Sequence, residues 1–232
     1  MEKILFIKNI SKFIGCMFVT STIGVADVWF DETGDIATTD QNLDITSFEI
    51  TDDGQDLTMT LTVADLNADW GNYMIFMDFP DWPNSYPGSG DNDNPWGRNV
   101  SGLEGADAFI GSWLSGGGGN QYYEYQSQHS GWYNFPSSPY SMSVDWSNSS
   151  ITWIIEDWVA TWVNEGYEGF NFEVGTTGGN WGDPAIDLLN GTGGSWGEGS
   201  TGAWEYYQFS TVPGPGALVL LTIAGFSRKR RI

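Results

Sequence analysis

Basic side chains, cysteine and histidine are nearly missing from this 232-residue chain. Between Asp27 and Val212 the only Lys or Arg is Arg98, against 29 acidic side chains, a net of −28 over that stretch. A nucleic-acid binder needs cations to displace counterions from phosphate, and docking on anionic lipid needs them as well, so both classes are excluded. The sole cysteine, Cys16, lies near the amino terminus, so the stretch from Asp27 onward has no disulfide, no thiolate nucleophile and no cysteine-based metal site. His129 is the single histidine, which removes two- and three-histidine zinc sites. No Gly-x-Ser-x-Gly elbow accompanies it to suggest a Ser-His-Asp triad. Phosphate cradles and dinucleotide fingerprints are missing too, and Gly116–Gly119 is a plain glycine run. Glycine is frequent but aperiodic, and with so little Lys and Arg, collagen-like and heptad architectures are excluded. The chain is therefore expected not to be an enzyme. A glycosidase needs only two carboxylates at a defined separation, and abundant acids leave that reading open.

What is present begins with an address. Lys3, Lys8 and Lys12 precede an uncharged apolar run, Phe13–Gly24, which closes on Gly24-Val25-Ala26. A charged start, a short apolar run and small residues at the end make a secretory signal, with cleavage expected before Asp27 and loss of Cys16. The run is shorter than the roughly 20 residues a membrane-spanning helix needs. A rival reading takes Phe13-Ile14-Gly15-Cys16 as a faint lipobox. The other end reads Val212-Pro213-Gly214-Pro215-Gly216, an apolar segment Ala217–Phe226, then Ser227-Arg228-Lys229-Arg230-Arg231. Prolines and glycines break the chain, the apolar segment enters the membrane, and the cations hold on the cytoplasmic side.

That tripartite tail resembles the PEP-CTERM sorting signal of bacterial exported proteins, with Gly214 where Glu is usual. On that resemblance, Val212, Pro213 and Pro215 form the motif and Arg228, Lys229, Arg230 and Arg231 the basic end. It implies processing by an exosortase-type membrane enzyme and delivery to the cell surface or an exopolysaccharide matrix, with membrane contact only through the tail. The alternative is an ordinary tail anchor. Three parts follow: a signal peptide (1–26), a body (27–211) and a sorting tail (212–232).

The chain carries 13 Trp, 13 Phe and 10 Tyr, apolar area enough for a core, which excludes disorder throughout. Leu57, Met59, Leu61 and Val63 alternate with Thr58, Thr60 and Thr62, a period of two that predicts a half-buried strand. Leu43–Ile50 is a second strand, joined to the first through the turn signal Asp52-Asp53-Gly54. Tyr73, Ile75, Met77 and Phe79 mark a third. Further strands are predicted over Ala106–Trp113, Gln121–Gln128, Ser141–Asp145, Ile151–Ile155, Gly169–Gly175 and Ala203–Ser210, with a turn or two of helix in Glu156–Asn164. Pro80–Val100 and Asp183–Thr201 read as long loops, which at that length are often functional. The pattern predicts an all-β fold, an antiparallel, jelly-roll-like β-sandwich in a single domain.

The order of features adds a resemblance. Asp31-Glu32-Thr33-Gly34-Asp35, Leu43-Asp44-Ile45-Thr46, Trp70-Gly71-Asn72-Tyr73, Asn94-Pro95-Trp96-Gly97-Arg98, Gly105–Trp113 and Asp183–Leu189 follow one another in a layout similar to DOMON-related and family 9 carbohydrate-binding modules. The resemblance implies a jelly-roll-like sandwich that binds polysaccharide, sometimes with structural calcium.

Exposed indoles stack on sugar rings while neighbouring polar groups take hydroxyls. Trp113, Trp153 and Trp158 sit inside apolar runs and read as core. Trp82, Trp96, Trp181 and Trp196 lie in polar, Gly-rich loops and, with Tyr86, form the expected ligand platform, loop packing being the alternative. For calcium, Gly90-Asp91-Asn92-Asp93-Asn94 is oxygen-rich but lacks the spacing of a twelve-residue calcium loop. A composite site from Asp31, Asp78 and Asp107 is the expectation, against a plainly solvated acidic surface. Arg98, amid so many carboxylates, is expected to be paired structurally. The runner-up function is a structural or adhesive matrix protein, and the third a glycan-active hydrolase or lyase. Amino-terminal sequencing of protein recovered from its native host should begin at Asp27; a chain that retains Phe13–Gly24 contradicts export by cleavage.

Overall fold

A computed structural model describes residues 26–82, 86–87, 94–136 and 140–210. The signal run and the sorting tail, with Val212, Pro213, Pro215, Arg228, Lys229, Arg230 and Arg231, lie outside the described residues, as does Gly90–Asp93. The strands in chain order are β1 (Asp27–Phe30), β2 (Ile45–Asp52), β3 (Leu57–Val63), β4 (Asn72–Asp78), β5 (Val100–Ser101), β6 (Ala108–Trp113) and β7 (Gly119–Gln126). They continue with β8 (Gly131–Asn134), β9 (Tyr140–Asp145), β10 (Ser150–Ile155), β11 (Gly169–Thr177), β12 (Ala185–Leu188), β13 (Ser200–Thr201) and β14 (Glu205–Gln208). One short helix, α1 (Trp158–Asn164), joins β10 to β11. No helix among the described residues is long and apolar enough to cross a membrane.

The chain is mostly β, and its two large sheets are antiparallel. One runs β1-β2-β3-β10-β9; the other runs β12-β11-β4-β6-β7-β8, with β14 also paired to β11. The short β5 and β13 pair in parallel. β2 and β3 form the hairpin that Asp52-Asp53-Gly54 signals, with the Asp52 and Asp53 carboxylates accepting the turn amides of Gly54 and Gln55.

Period-two alternation decides which face of β3 lies deepest. On β3, Leu57, Met59, Leu61 and Val63 are buried while the intervening threonines are half-buried. Their inward faces share one core with Ile75 and Met77 of β4, Ile110 of β6 and Phe170, Phe172 and Val174 of β11, so both sheets contribute to it. Trp153 of β10 ties them together: it is fully buried, and its indole N–H donates to Ser112 Oγ of β6 at 2.8 Å.

Several expectations change. Asp183–Thr201 is not a bare loop, because Ala185–Leu188 adds an edge strand to β11 and Ser200–Thr201 pairs with Val100–Ser101. Four-residue β12 is buried along its whole length, so it shows no alternation for a period-two reading to find. Strands β1 and β8 were likewise not predicted. Ser112→Ala would leave the buried Trp153 N–H without an acceptor, and urea denaturation should show a loss of about 1–3 kcal/mol. An unchanged midpoint would mean that the bond contributes nothing to holding the sheets together.

Candidate ligand groove and carboxylate cluster

Strand β6 has no exposed face. Ala108, Ile110 and Ser112 point into the shared core, while Phe109, Gly111 and Trp113 point the other way and still need cover. The chain covers them with aromatic rings. Phe109 stacks on Tyr123 of β7 at 4.7 Å and 10°, and Trp132 of β8 meets it edge-on at 4.9 Å. Trp96, from the turn Pro95–Gly97, lies beside Trp113 with centroids 6.2 Å apart. These rings and Trp181 line an open groove of about 680 Å³, with Asn72, Asn94, Arg98 and Ser115 supplying polar groups. That volume lies within the roughly 300–1,000 Å³ of ligand clefts.

Glycines let three of the indoles lie against backbone. A Cβ at Gly97 would stand 2.2 Å from the Trp181 ring, one at Gly111 3.0 Å from Trp96, and one at Gly119 2.3 Å from Trp113. Trp96 itself sits at φ +56°, a left-handed conformation that is uncommon and costly for a bulky residue. Residues 97–99 are laced to residues 180–183. Gly182 N donates to Gly97 O at 2.8 Å, Asn99 N to Asp183 O at 2.8 Å, and Arg98 Nη1 to Asn180 O at 2.7 Å.

The expected platform is thus distributed over several places. Trp96 and Trp181 are brought together in the groove, and Trp181 is 71% exposed. Trp82 packs against Trp162 of α1 at 5.0 Å and Tyr167 at 6.2 Å, part of the aromatic packing around Phe79. Tyr86 is buried against Tyr125 and Trp132, and its hydroxyl donates to Asn94 Oδ1 at 2.8 Å, supporting the groove wall from behind. Trp196 is 45% exposed and pairs with Trp70 at 6.5 Å; a Cβ on Gly178, next to the groove residue Gly179, would come within 2.8 Å of it. Trp113, read as core, lines the groove, whereas Trp153 and Trp158 do pack in the core. Trp132 and Tyr123 were missed altogether. The available signal was Ala108–Trp113, apolar at successive positions, which a strand with one wet face would not be.

Arg98 departs from expectation as well. It is 5% exposed, and its guanidinium meets backbone rather than carboxylate: Nη1 donates to Asn180 O and, at 3.3 Å, to Trp96 O. Its Cζ stands 5.4 Å above the Trp96 ring, and its Nε is buried with no acceptor. Burial pulls this guanidinium below its ordinary pKa, with the charge of Asp183 opposing.

A second cluster gathers acids. One carboxylate oxygen each of Asp31, Asp35 and Asp187 lie within 4.8 Å of one another, beside a cleft of about 340 Å³ that Asn190 and Thr192 also line. Asp187 accepts Ile45 N at 2.6 Å and Leu188 N at 2.9 Å, and Asp31 Oδ2 is buried without a donor. Burial, reinforced by the neighbouring carboxylates, pushes Asp31 up to about 6 and Asp187 up to about 7. These three residues could hold a hard divalent cation. The expected trio does not converge: Asp31 stands with Asp35 and Asp187. Asp78 accepts Asn171 Nδ2 at 2.7 Å, and the buried Asp107 accepts Phe79 N at 2.7 Å, so both oxygens serve strand ends.

A scan against protein-family models finds no match, and a search of curated proteins finds no relative. The fold and the two sites therefore carry the functional argument.

Glu173 yields a pH prediction. It is fully buried on β11, accepts Val174 N, Asn190 N and Ala203 N, and burial still pushes it up to about 7 from 4.5. A carboxyl whose pKa is raised on folding favours the folded state below its unfolded pKa, and that contribution is lost as pH rises through the folded value. In chelator, the unfolding free energy from urea denaturation should therefore fall between pH 4.5 and 7, by something on the order of 3 kcal/mol from Glu173 alone. Asp187 acts in the same direction. Millimolar calcium should reverse the loss near pH 7 if the Asp31, Asp35 and Asp187 cluster takes a cation. Stability that climbs across this interval contradicts the assignment.

Proposed function

We propose that this is an exported cell-surface or matrix protein whose body is a non-catalytic carbohydrate-binding module. The observation that carries the reading is the groove over β6, where Trp96, Trp113, Trp132 and Trp181 converge. Indole faces suit the apolar faces of sugar rings, and Asn72, Asn94 and Ser115 offer polar atoms for hydroxyls. Binding rather than cleavage is supported by the groove's composition: none of its described lining residues is a carboxylate, and glycoside hydrolysis ordinarily uses two. The body is read as a jelly-roll-like sandwich. The chain crosses between the two large sheets from β3 to β4, from β8 to β9 and from β10 to β11, and pairs β3 with β10 and β4 with β11, the wound arrangement that such folds share. Delivery would follow from the amino-terminal signal and the sorting tail, the latter read by an exosortase-type enzyme.

A structural or adhesive matrix role is the second reading, favoured by Trp82 and Tyr86, which pack rather than face solvent. Calorimetric titration of the purified chain with a panel of soluble polysaccharides separates the two. Saturable binding to at least one glycan is expected. Trp181→Ala should weaken it about tenfold, near 1.4 kcal/mol, with the melting temperature unchanged. Gly119→Ala, which drives a methyl into the Trp113 ring, should weaken it too, while costing about 1–3 kcal/mol of stability. Failure of every glycan to bind, or binding indifferent to both substitutions, favours the structural role.

A further inference from the structure

Arg98 carries more charge than its visible contacts use. The stretch from Asp27 to Val212 has 29 acids in 186 residues, yet within the described residues its one cation bonds two backbone carbonyls and no carboxylate, the charge of Asp183 acting on it without a bond. An ion taken out of water without a counterion costs several kcal/mol, and this chain has carboxylates in excess to supply one. The thirteen described residues lining the groove include no Asp or Glu, although about one residue in six of the stretch is acidic. The carboxylate cleft on the same chain, lined by Asp31, Asp35 and Asp187, is its electrostatic opposite.

The contacts also orient the guanidinium. Nη1 is held by the carbonyls of Trp96 and Asn180, while Nε has no acceptor and Nη2 donates no hydrogen bond within the described residues. A guanidinium edge matches a planar or tetrahedral oxyanion in two parallel bonds, and reaching the solvent-shielded Nε requires the groove wall to move. Low dielectric around a buried cation strengthens its pull on an anion, and ions screen the remote acids beyond a Debye length of about 8 Å.

Resting on the carbohydrate-binding reading, we infer that the groove selects a glycan whose sugar carries an anionic substituent, a carboxylate or a sulfate ester, with Arg98 as its counterion and the indoles as its stacking surface. Neutral sugars would occupy the rings and leave the guanidinium unpaired, so they bind more weakly.

Three oligosaccharides on one backbone test this against the unmodified chain by calorimetry: a uronate form, its carboxyl-reduced form and a sulfated form. At least one anionic form should bind tenfold or more tightly than the reduced form, and which does so identifies the substituent. Arg98→Gln should erase that preference, while Trp181→Ala weakens all forms alike. Because loss of Arg98 can loosen the loops it clamps, the ligand comparison on the unmodified chain decides. Equal affinity for all three, or tighter binding of the reduced form, overturns the inference and leaves carbohydrate binding standing. Binding of no glycan at all overturns both.

Discussion

Burial of β6 on both faces is the constraint from which the rest of the molecule follows. Its inward residues are committed to the core shared with β10, β3 and β11, through Ile110 and the Trp153–Ser112 bond. Its outward residues, Phe109, Gly111 and Trp113, are too apolar to leave wet, so loops must cross over them. Those loops have to bring rings flat onto a sheet, and glycine is what permits it. Without a Cβ at Gly111 or Gly119, an indole can rest on backbone at contact distance. The groove is what remains where that cover stops short of complete, between Trp181 on one side and Trp132 on the other.

The lopsided charge has a structural use inside as well as a solubility role outside. With almost no Lys or Arg to pair with, buried carboxylates turn to backbone amides. Asp52 takes Ser210 N and the Tyr207 hydroxyl, Asp107 takes Phe79 N, Asp187 takes Ile45 N and Leu188 N, and Glu173 takes three amides at once. Apart from Val174, in the middle of β11, each amide belongs to a strand end or an irregular segment, where an unpaired donor would be costly. Burial is not free for these acids, as the upward pull on Glu173 and Asp187 records. A fold stapled this way has its internal hydrogen bonding tied to proton uptake in a manner that a lysine-rich β fold would not.

Much of the fold was legible and much less of the site, for one reason. Strands announce themselves locally: Leu57–Val63 alternates within a single segment, and the structure puts a strand there. Strand β12 did not, because four residues buried throughout show no period. Partners of an aromatic ring are set by topology, which local sequence does not carry. Trp82 sits between Asp81 and Pro83, and Trp96 between Pro95 and Gly97, two settings alike in polarity and turn character. One ring nevertheless folds onto α1 and the other onto β6. Trp113 was obscured in the opposite way, its apolar neighbours suggesting a core that lies on the other face of its strand.

Arg98 brings the two constraints together. Clamping Asn180 O and Trp96 O requires two N–H donors, which the neutral amide of an Asn or Gln also provides. A neutral donor would have avoided the desolvation that depresses the guanidinium, in a stretch from Asp27 to Val212 otherwise stripped of cations. The clamp alone therefore does not account for an arginine here. Its charge, its orphaned Nε and its position at the lining of a groove whose described residues include no acid all fit one further requirement, that something negative come to rest on the rings beside it.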